Sequence, residues 1–222
     1  MQEIQVVIPF KLNGAKSRLS PLLSRDERKK LALAMLNDVI AAVSDIGLVS
    51  VLSKSQLPDY DTISPQMIIE CDLELNSALN CLISDWQKKG WPADLLIVMA
   101  DLPLLTKRDL DGIMSTAGDL VISPGRGGGT NILLIRSSIF RVSYHGLSFL
   151  KHIDLAEKLG LSAGVYYSYN SGCDIDEPSD LVEVLLHGRG ETQRLLKEMG
   201  FSLISGEGRA GCLRNIALER QE

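Results

Sequence analysis

No run of apolar residues in this chain reaches the roughly 18 that a membrane-spanning helix needs. Cysteine is scarce, with only Cys71, Cys81, Cys173 and Cys212. None forms a C-x-x-C pair, and none stands at zinc-ligand spacing from a histidine. They read as reduced thiols of a cytoplasmic protein. A basic excess is missing too: the net charge is −5, against general nucleic-acid binding. The phosphate motif G-x-x-x-x-G-K-[ST] and the dinucleotide motif G-x-G-x-x-G do not occur, so neither a P-loop nor a dinucleotide fold is expected. G-x-S-x-G and a paired Cys and His are also missing, which removes support for a covalent intermediate. There is no internal repeat, low-complexity segment or linker.

What is present is an ordinary globular composition. The 222 residues are 45% hydrophobic and 23% charged, enough for one sizeable core and short for two domains. The expectation is a single domain over residues 1–222 with a peripheral tail, 201–222. Met1 to Phe10 carries Glu3 and reaches Pro9 quickly, so it reads as a strand and not as a signal peptide. An acidic protein that handles anions must concentrate positive charge locally or borrow it from metal ions.

Apolar, β-branched runs alternate with amphipathic stretches, the pattern of a parallel sheet with crossover helices. Strands are predicted at Ile4–Phe10, Leu48–Ser53, Met67–Ile69, Leu95–Met99, Leu120–Ser123, Ile132–Ile135 and Gly164–Tyr169. Leu95–Met99 is the most apolar and is placed centrally. Ser24 and Glu27 form a capping-box pattern that opens a helix to about Ser44. Further helices are predicted at Leu75–Lys89, from Thr106 to about Ala117, and at Ser148–Leu159, Ser179–His187 and Glu191–Met199. In the tail, Gly206, Gly208 and Gly211 break any helix, leaving a short strand plus loop.

Five segments carry candidate chemistry. Lys11, Lys16 and Arg18 follow the first strand, in a loop whose small residues, Ala15 and Ser17 among them, let backbone N–H groups point inward. Phosphates want both features at that sheet edge, although a solvated basic loop has the same composition. Asp101 follows the central strand, where a carboxylate suits magnesium; a turn or helix cap is the alternative. Asp174 and Asp176 flank Ile175 before Pro178, and either or both reach the same metal or simply begin a helix. The segment Pro124–Asn131 holds four glycines and ends in Thr130 and Asn131, a polar site or a plain hairpin loop. Ser148 is expected to cap a helix beyond Gly146, an anion site, with His152 one turn later on the same face.

In this order the motifs resemble the 2-phospho-L-lactate guanylyltransferases of coenzyme F-420 biosynthesis, the archaeal branch most closely. The resemblance runs through Val7–Lys11, Ala15–Ser20, Leu75–Leu79, Asp101–Leu104, Gly129–Asn131, Gly146–Phe149 with His152, and Asp174–Asp176, about residues 4–187. It implies a nucleotide-diphospho-sugar-transferase-like fold, a three-layer α/β/α arrangement with a mostly parallel sheet. It implies that GTP and 2-phospho-L-lactate give a lactyl-diphospho-guanosine and pyrophosphate, with Mg2+ as cofactor. It also implies Lys16 and Arg18 at the triphosphate, Asn76 near the base, and Asp101, Asp174 and Asp176 at magnesium. Thr130, Gly146 and Ser148, with Asn131 and His152 alongside, fall near the phospho-acid. The first loop keeps only Gly14 of the glycine-rich version found in sugar nucleotidyltransferases, which shifts weight onto Lys16 and Arg18.

The rivals are a molybdenum-cofactor or sugar-phosphate nucleotidyltransferase, a variant using phosphoenolpyruvate, and a non-catalytic GTP sensor. The missing G-x-G-x-x-R loop disfavours the first two, and three acidic positions disfavour the sensor. No nucleic acid or membrane partner is expected, and the glycine-rich tail is a candidate contact for a homodimer.

Overall fold

The computed structural model describes residues 4–54, 57, 67–90, 94–205 and 210–215. The chain opens with β1 (Gln5–Phe10), α1 (Arg25–Val43), β2 (Leu48–Ser53), β3 (Met67–Glu70) and α2 (Leu75–Lys89). It continues through β4 (Leu95–Val98), α3 (Lys107–Ser115), β5 (Leu120–Pro124), β6 (Thr130–Ile135), α4 (Ser148–Lys158) and β7 (Ala163–Val165). Last come α5 (Tyr169–Gly172), α6 (Leu181–His187), α7 (Glu191–Glu198), β8 (Phe201–Ser205) and β9 (Ala210–Arg214).

Seven strands form one sheet in the order β3-β2-β1-β4-β6-β5-β7. All neighbours run parallel except β6, which is antiparallel to both β4 and β5. The central strands β1, β4 and β6 are mostly apolar and buried because both faces are covered, while edge strand β3 is exposed. Val6, Ile8, Leu96, Val98, Ile132 and Leu134 meet α1 and α3 on one face. Val7, Leu95, Ile97, Leu133 and Ile135 meet α2 and α4 on the other. Alternate residues of each strand thus serve opposite layers. A third cluster, with Leu19, Met35, Leu104, Ile175, Leu181, Leu196 and Phe201, seats α6, α7 and β8 against α1.

The helix starts follow their chemistry. Ser24 Oγ accepts from Glu27 N at 3.3 Å and Glu27 Oε2 accepts from Ser24 N at 2.8 Å, the reciprocal box expected for α1. Thr106 caps α3 in the same way, with Asp109 as its partner. For α7 the cap comes from α1: Asp38 accepts from Glu191 N at 2.6 Å and Thr192 N at 2.9 Å. A Cβ on Gly190 would stand 2.1 Å from Asp38 Oδ1, so this approach needs a glycine.

Three local expectations change. The strand expected over Gly164–Tyr169 is β7, Ala163–Val165. Ser168 ends that segment by accepting from Ser171 N, which starts α5 at Tyr169. Ser148 is the first residue inside α4; Leu147 is its N-cap, and no side chain caps it. Before α6, Pro178–Asp180 forms a single 3-10 turn, because Asp180 binds the backbone N–H groups of Asp176 and Glu177. The tail is a β8–β9 hairpin; Gly206 and Gly208 lie outside the described residues. Arg214 anchors it to Glu27 and to the Leu22 carbonyl. No described helix is long and apolar enough to cross a membrane.

Candidate active site

Strands β1, β2, β3 and β4 are parallel, so their carboxyl ends share one edge of the sheet. Loops leaving that edge deliver Lys16 after β1 and Asp101 after β4. The acidic turn 174–176 joins them through main chain, as Ile175 N donates to the Asp101 carbonyl at 3.1 Å. Ile175 is buried in the third cluster, which turns its two acidic neighbours away from that core.

The charges then meet at one point. Lys16 Nζ lies 2.8 Å from Asp101 Oδ2 and 2.8 Å from Asp176 Oδ1. Its side chain is only 10% exposed. Burial works against the ammonium, but Asp101 and then Asp176 outweigh it and hold Lys16 above its usual value. Arg18 stands further out, 67% exposed and 3.7 Å from Asp176 Oδ2. Lys16 is the only described non-glycine residue with positive φ, at 53°. Burial, and after it the charge of Asp101, pushes the Asp174 carboxyl up.

Two cavities open beside this cluster, sharing Pro9, Phe10, Lys11 and Met99. One, of about 210 Å³, is lined by Ala15, Lys16, Asp101 and Asp176. The other, of about 230 Å³, runs over Leu52, Lys54, Cys71, Leu73, Glu74, Leu75 and Ala78. The first suits phosphates and the second a flat apolar group. Ser17 is exposed and lines neither.

Asp101 and Asp176 address the same cation, and both are hard oxygen donors. Magnesium uses one or two such carboxylates and takes its other ligands from phosphates and water. Among the described residues no three acidic, His or Cys side chains form a cage that would hold a metal unaided. The donor set therefore fits a cation shared with a bound phosphate.

The residues expected at the phospho-acid are placed differently. Thr130 and Ser148 are each 3% exposed and His152 is 0% exposed, so all three lie beneath the surface. Ser148 Oγ donates to Thr130 Oγ1 at 3.2 Å, and Thr130 Oγ1 lies 2.9 Å from His152 Nδ1. Ser143 N donates to His152 Nε2 at 2.9 Å, which leaves the ring proton on Nδ1. Burial pulls His152 down to about 4. The ring is a neutral strut, not a surface contact, and Gly146 is the exposed member of the group. Asn131 is also buried; its Nδ2 donates to the Ser171 carbonyl at 3.0 Å and lies 3.4 Å from Asp174 Oδ1. Asn76 uses its Oδ1 to accept from Tyr144 N at 2.5 Å and lines neither cavity.

Sequence reasoning passed over the groups that hold the acidic turn. Asp180 Oδ2 accepts from Asp176 N and Glu177 N at 2.8 and 2.7 Å. Arg126, from the glycine loop, donates to Asp180 Oδ1 at 2.7 Å and to the Asp174 carbonyl at 2.8 Å. Asn80 was missed as well: it pairs with both the N–H and the carbonyl of Val142, one turn after Asn76. That i,i+4 asparagine pair was the one available signal.

A site of this geometry can be compared with known proteins. The family model described as "Guanylyl transferase CofC like" matches residues 4–216. A 2-phospho-L-lactate guanylyltransferase of Methanothrix thermoacetophila is 48% identical over 210 residues, covering 94% of this chain and 95% of the relative. One from Archaeoglobus fulgidus is 42% identical over 201 residues, covering 90% and 92%. A solved structure from Desulfovibrio desulfuricans G20, described as a nucleotide-diphospho-sugar transferase, superposes with a TM-score of 0.70. It shares 16% identity and covers 89% of this chain and 95% of its own, a likeness of fold. With a family match over residues 4–216 laid over this edge of lysine and carboxylates, the chain belongs to the CofC-like guanylyl transferases.

Proposed function

We propose that this protein transfers GMP from GTP to 2-phospho-L-lactate, releasing pyrophosphate and forming lactyl-2-diphospho-5'-guanosine. The observation that carries the reading is Lys16 Nζ bridging Asp101 and Asp176 on the wall of the phosphate-sized cavity. Near-full-length relatives that bear this activity in their names support the substrate pair.

An oxygen of the acceptor phosphate attacks the α-phosphorus of GTP. A new P–O bond forms as the bond to the β-phosphate oxygen breaks, and the electron pair leaves with pyrophosphate. The acceptor phosphate is largely ionised near neutral pH, so it needs no general base. His152 is unsuited to that task in any case, being buried and neutral. Lys16 is free to turn from its carboxylates to the phosphates, and Arg18 stands outside it to meet the leaving group. Asp101 and Asp176, with Asp174 behind them, would hold Mg2+, which when bound neutralises the facing phosphates. Asn131 and the Arg126–Asp180 pair keep the acidic turn in position. The four free thiols fit a reducing cytoplasm, where we place the protein.

The test is pyrophosphate release with magnesium, GTP and 2-phospho-L-lactate, with ATP and phosphoenolpyruvate as alternates. Release that needs both GTP and the phospho-acid, and stops with a chelator, is expected. Release with phosphoenolpyruvate alone would move the acceptor, and no release from any pair would refute the reading.

A further inference from the structure

The larger cavity has an apolar floor and a charged lip, and the lip has no evident task in the fold. Glu74 occupies the N-cap of α2, yet its side chain makes no cap hydrogen bond. Glutamate is not among the residues that suit that position. Its carboxylate turns outward and accepts from Lys54 Nζ at 2.7 Å. The Glu74 side chain is 86% exposed, so the pair adds little to stability. Lys54 follows β2 while Glu74 precedes α2, so two elements bring a donor and an acceptor to the same lip. Among the described residues lining this cavity, Glu74 is the one acid.

We propose that Glu74 selects the base. Its two carboxylate oxygens accept from N1–H and the 2-amino group of guanine, while Lys54 Nζ donates to O6. This rests on the guanylyl-transfer reading and adds the specificity residue to it. Guanine presents one acceptor and then two donors along that edge, which matches an ammonium followed by a carboxylate. Adenine presents a donor and then an acceptor and carries nothing on C2, so the ammonium meets an amino group, one carboxylate oxygen faces the N1 lone pair, and neither oxygen finds a donor. Asn76, two residues on, has its carbonyl committed to Tyr144 N. The apolar floor, including Leu52, Leu75 and Ala78, covers the faces of the ring.

Glu74→Gln converts the two acceptors into one acceptor and one donor. Xanthine carries O2 in place of the 2-amino group, so the amide fits xanthine where the carboxylate fits guanine. The experiment measures kcat/KM for GTP, ITP and XTP with wild type and Glu74→Gln. Wild type is expected to prefer GTP over ITP, which lacks the 2-amino group, by about tenfold. The variant is expected to lose about ten- to a hundredfold with GTP and to prefer XTP. A variant whose GTP-to-XTP ratio stays within about threefold of wild type overturns the assignment. If the variant turns over neither nucleotide, equilibrium binding of GTP and XTP is measured; the same inversion supports the assignment and its absence overturns it. Wild type that shows no turnover with GTP sinks the guanylyl-transfer reading and this inference together. Wild type that works beside a variant without the switch sinks the inference alone.

Discussion

His152 gives the site a pH dependence that can be worked out from its surroundings. The ring packs edge-on against Phe140 and Tyr144 at centroid distances of 5.9 and 5.0 Å. Its two nitrogens are engaged by Thr130 Oγ1 and Ser143 N, and Nε2 has no proton to give. Protonation would leave a buried charge whose new N–H faces another N–H. The unfolded chain binds a proton near pH 6.5, and the folded chain only at about 4. The stabilising effect of the neutral ring is therefore present above pH 6.5 and is lost as pH falls toward 4. The whole span amounts to about 3 kcal/mol, and about 2 kcal/mol is gone by pH 5. His152→Gln does not titrate in this range, while its amide can still accept from Ser143 N and donate to Thr130. Urea unfolding followed by circular dichroism at pH 7.5 and pH 5 gives the comparison. The stability difference between wild type and variant should shrink by about 2 kcal/mol at the lower pH. Parallel losses in both proteins would refute a neutral, buried His152.

Four further outcomes follow from the site. Lys16→Met should lower kcat/KM by about two to three orders of magnitude in the pyrophosphate assay. The same variant should bind Mg2+ or Mn2+ more tightly without nucleotide, because the ammonium no longer competes for Asp101 and Asp176; unchanged metal binding would count against that competition. Arg126→Met should cost about 1 kcal/mol of stability in urea and about tenfold in activity, since the acidic turn loses its brace. A chelator should abolish turnover while leaving the circular dichroism spectrum and the melting temperature nearly unchanged, because the described residues form no metal cage on which the fold would depend.

Much of the sheet was legible because its signal is local. Val6–Phe10 of β1 and Leu95–Val98 of β4 are apolar on consecutive residues, as suits strands covered on both faces. Ser24 and Glu27 announced α1 for the same reason, three residues apart. Direction is not local: Thr130–Ile135 reads equally well as parallel or antiparallel, and only its neighbours make β6 antiparallel. Asp101, Asp174, Asp176 and Lys16 were visible as charges in loops, but the clasp of Lys16 with Asp101 and Asp176 depends on pairings across the whole chain. Thr130, Ser148 and His152 were expected beside the phospho-acid, and their burial could not be seen because a polar side chain carries no mark of it; their mutual hydrogen bonds allow it. Asp180 and Arg126 were absorbed into a helix start and a glycine loop, whose local chemistry already accounted for them.

The clasp has a consequence for how the protein comes into being. Lys16 meets Asp101 across 85 positions and Asp176 across 160. Local helices such as α1 can nucleate early, but contacts of this span bear the entropy of closing long loops before they return any energy. This edge of the sheet is thus expected among the last parts to assemble. A chain emerging from the ribosome completes the β1–β4 half of the sheet while Asp174, Asp176 and Arg126 are still missing. Until they arrive, Lys16 and Asp101 sit at an unfinished rim. Refolding monitored by nucleotide binding should therefore lag behind refolding monitored by helix content, and the lag measures the closing of that clasp.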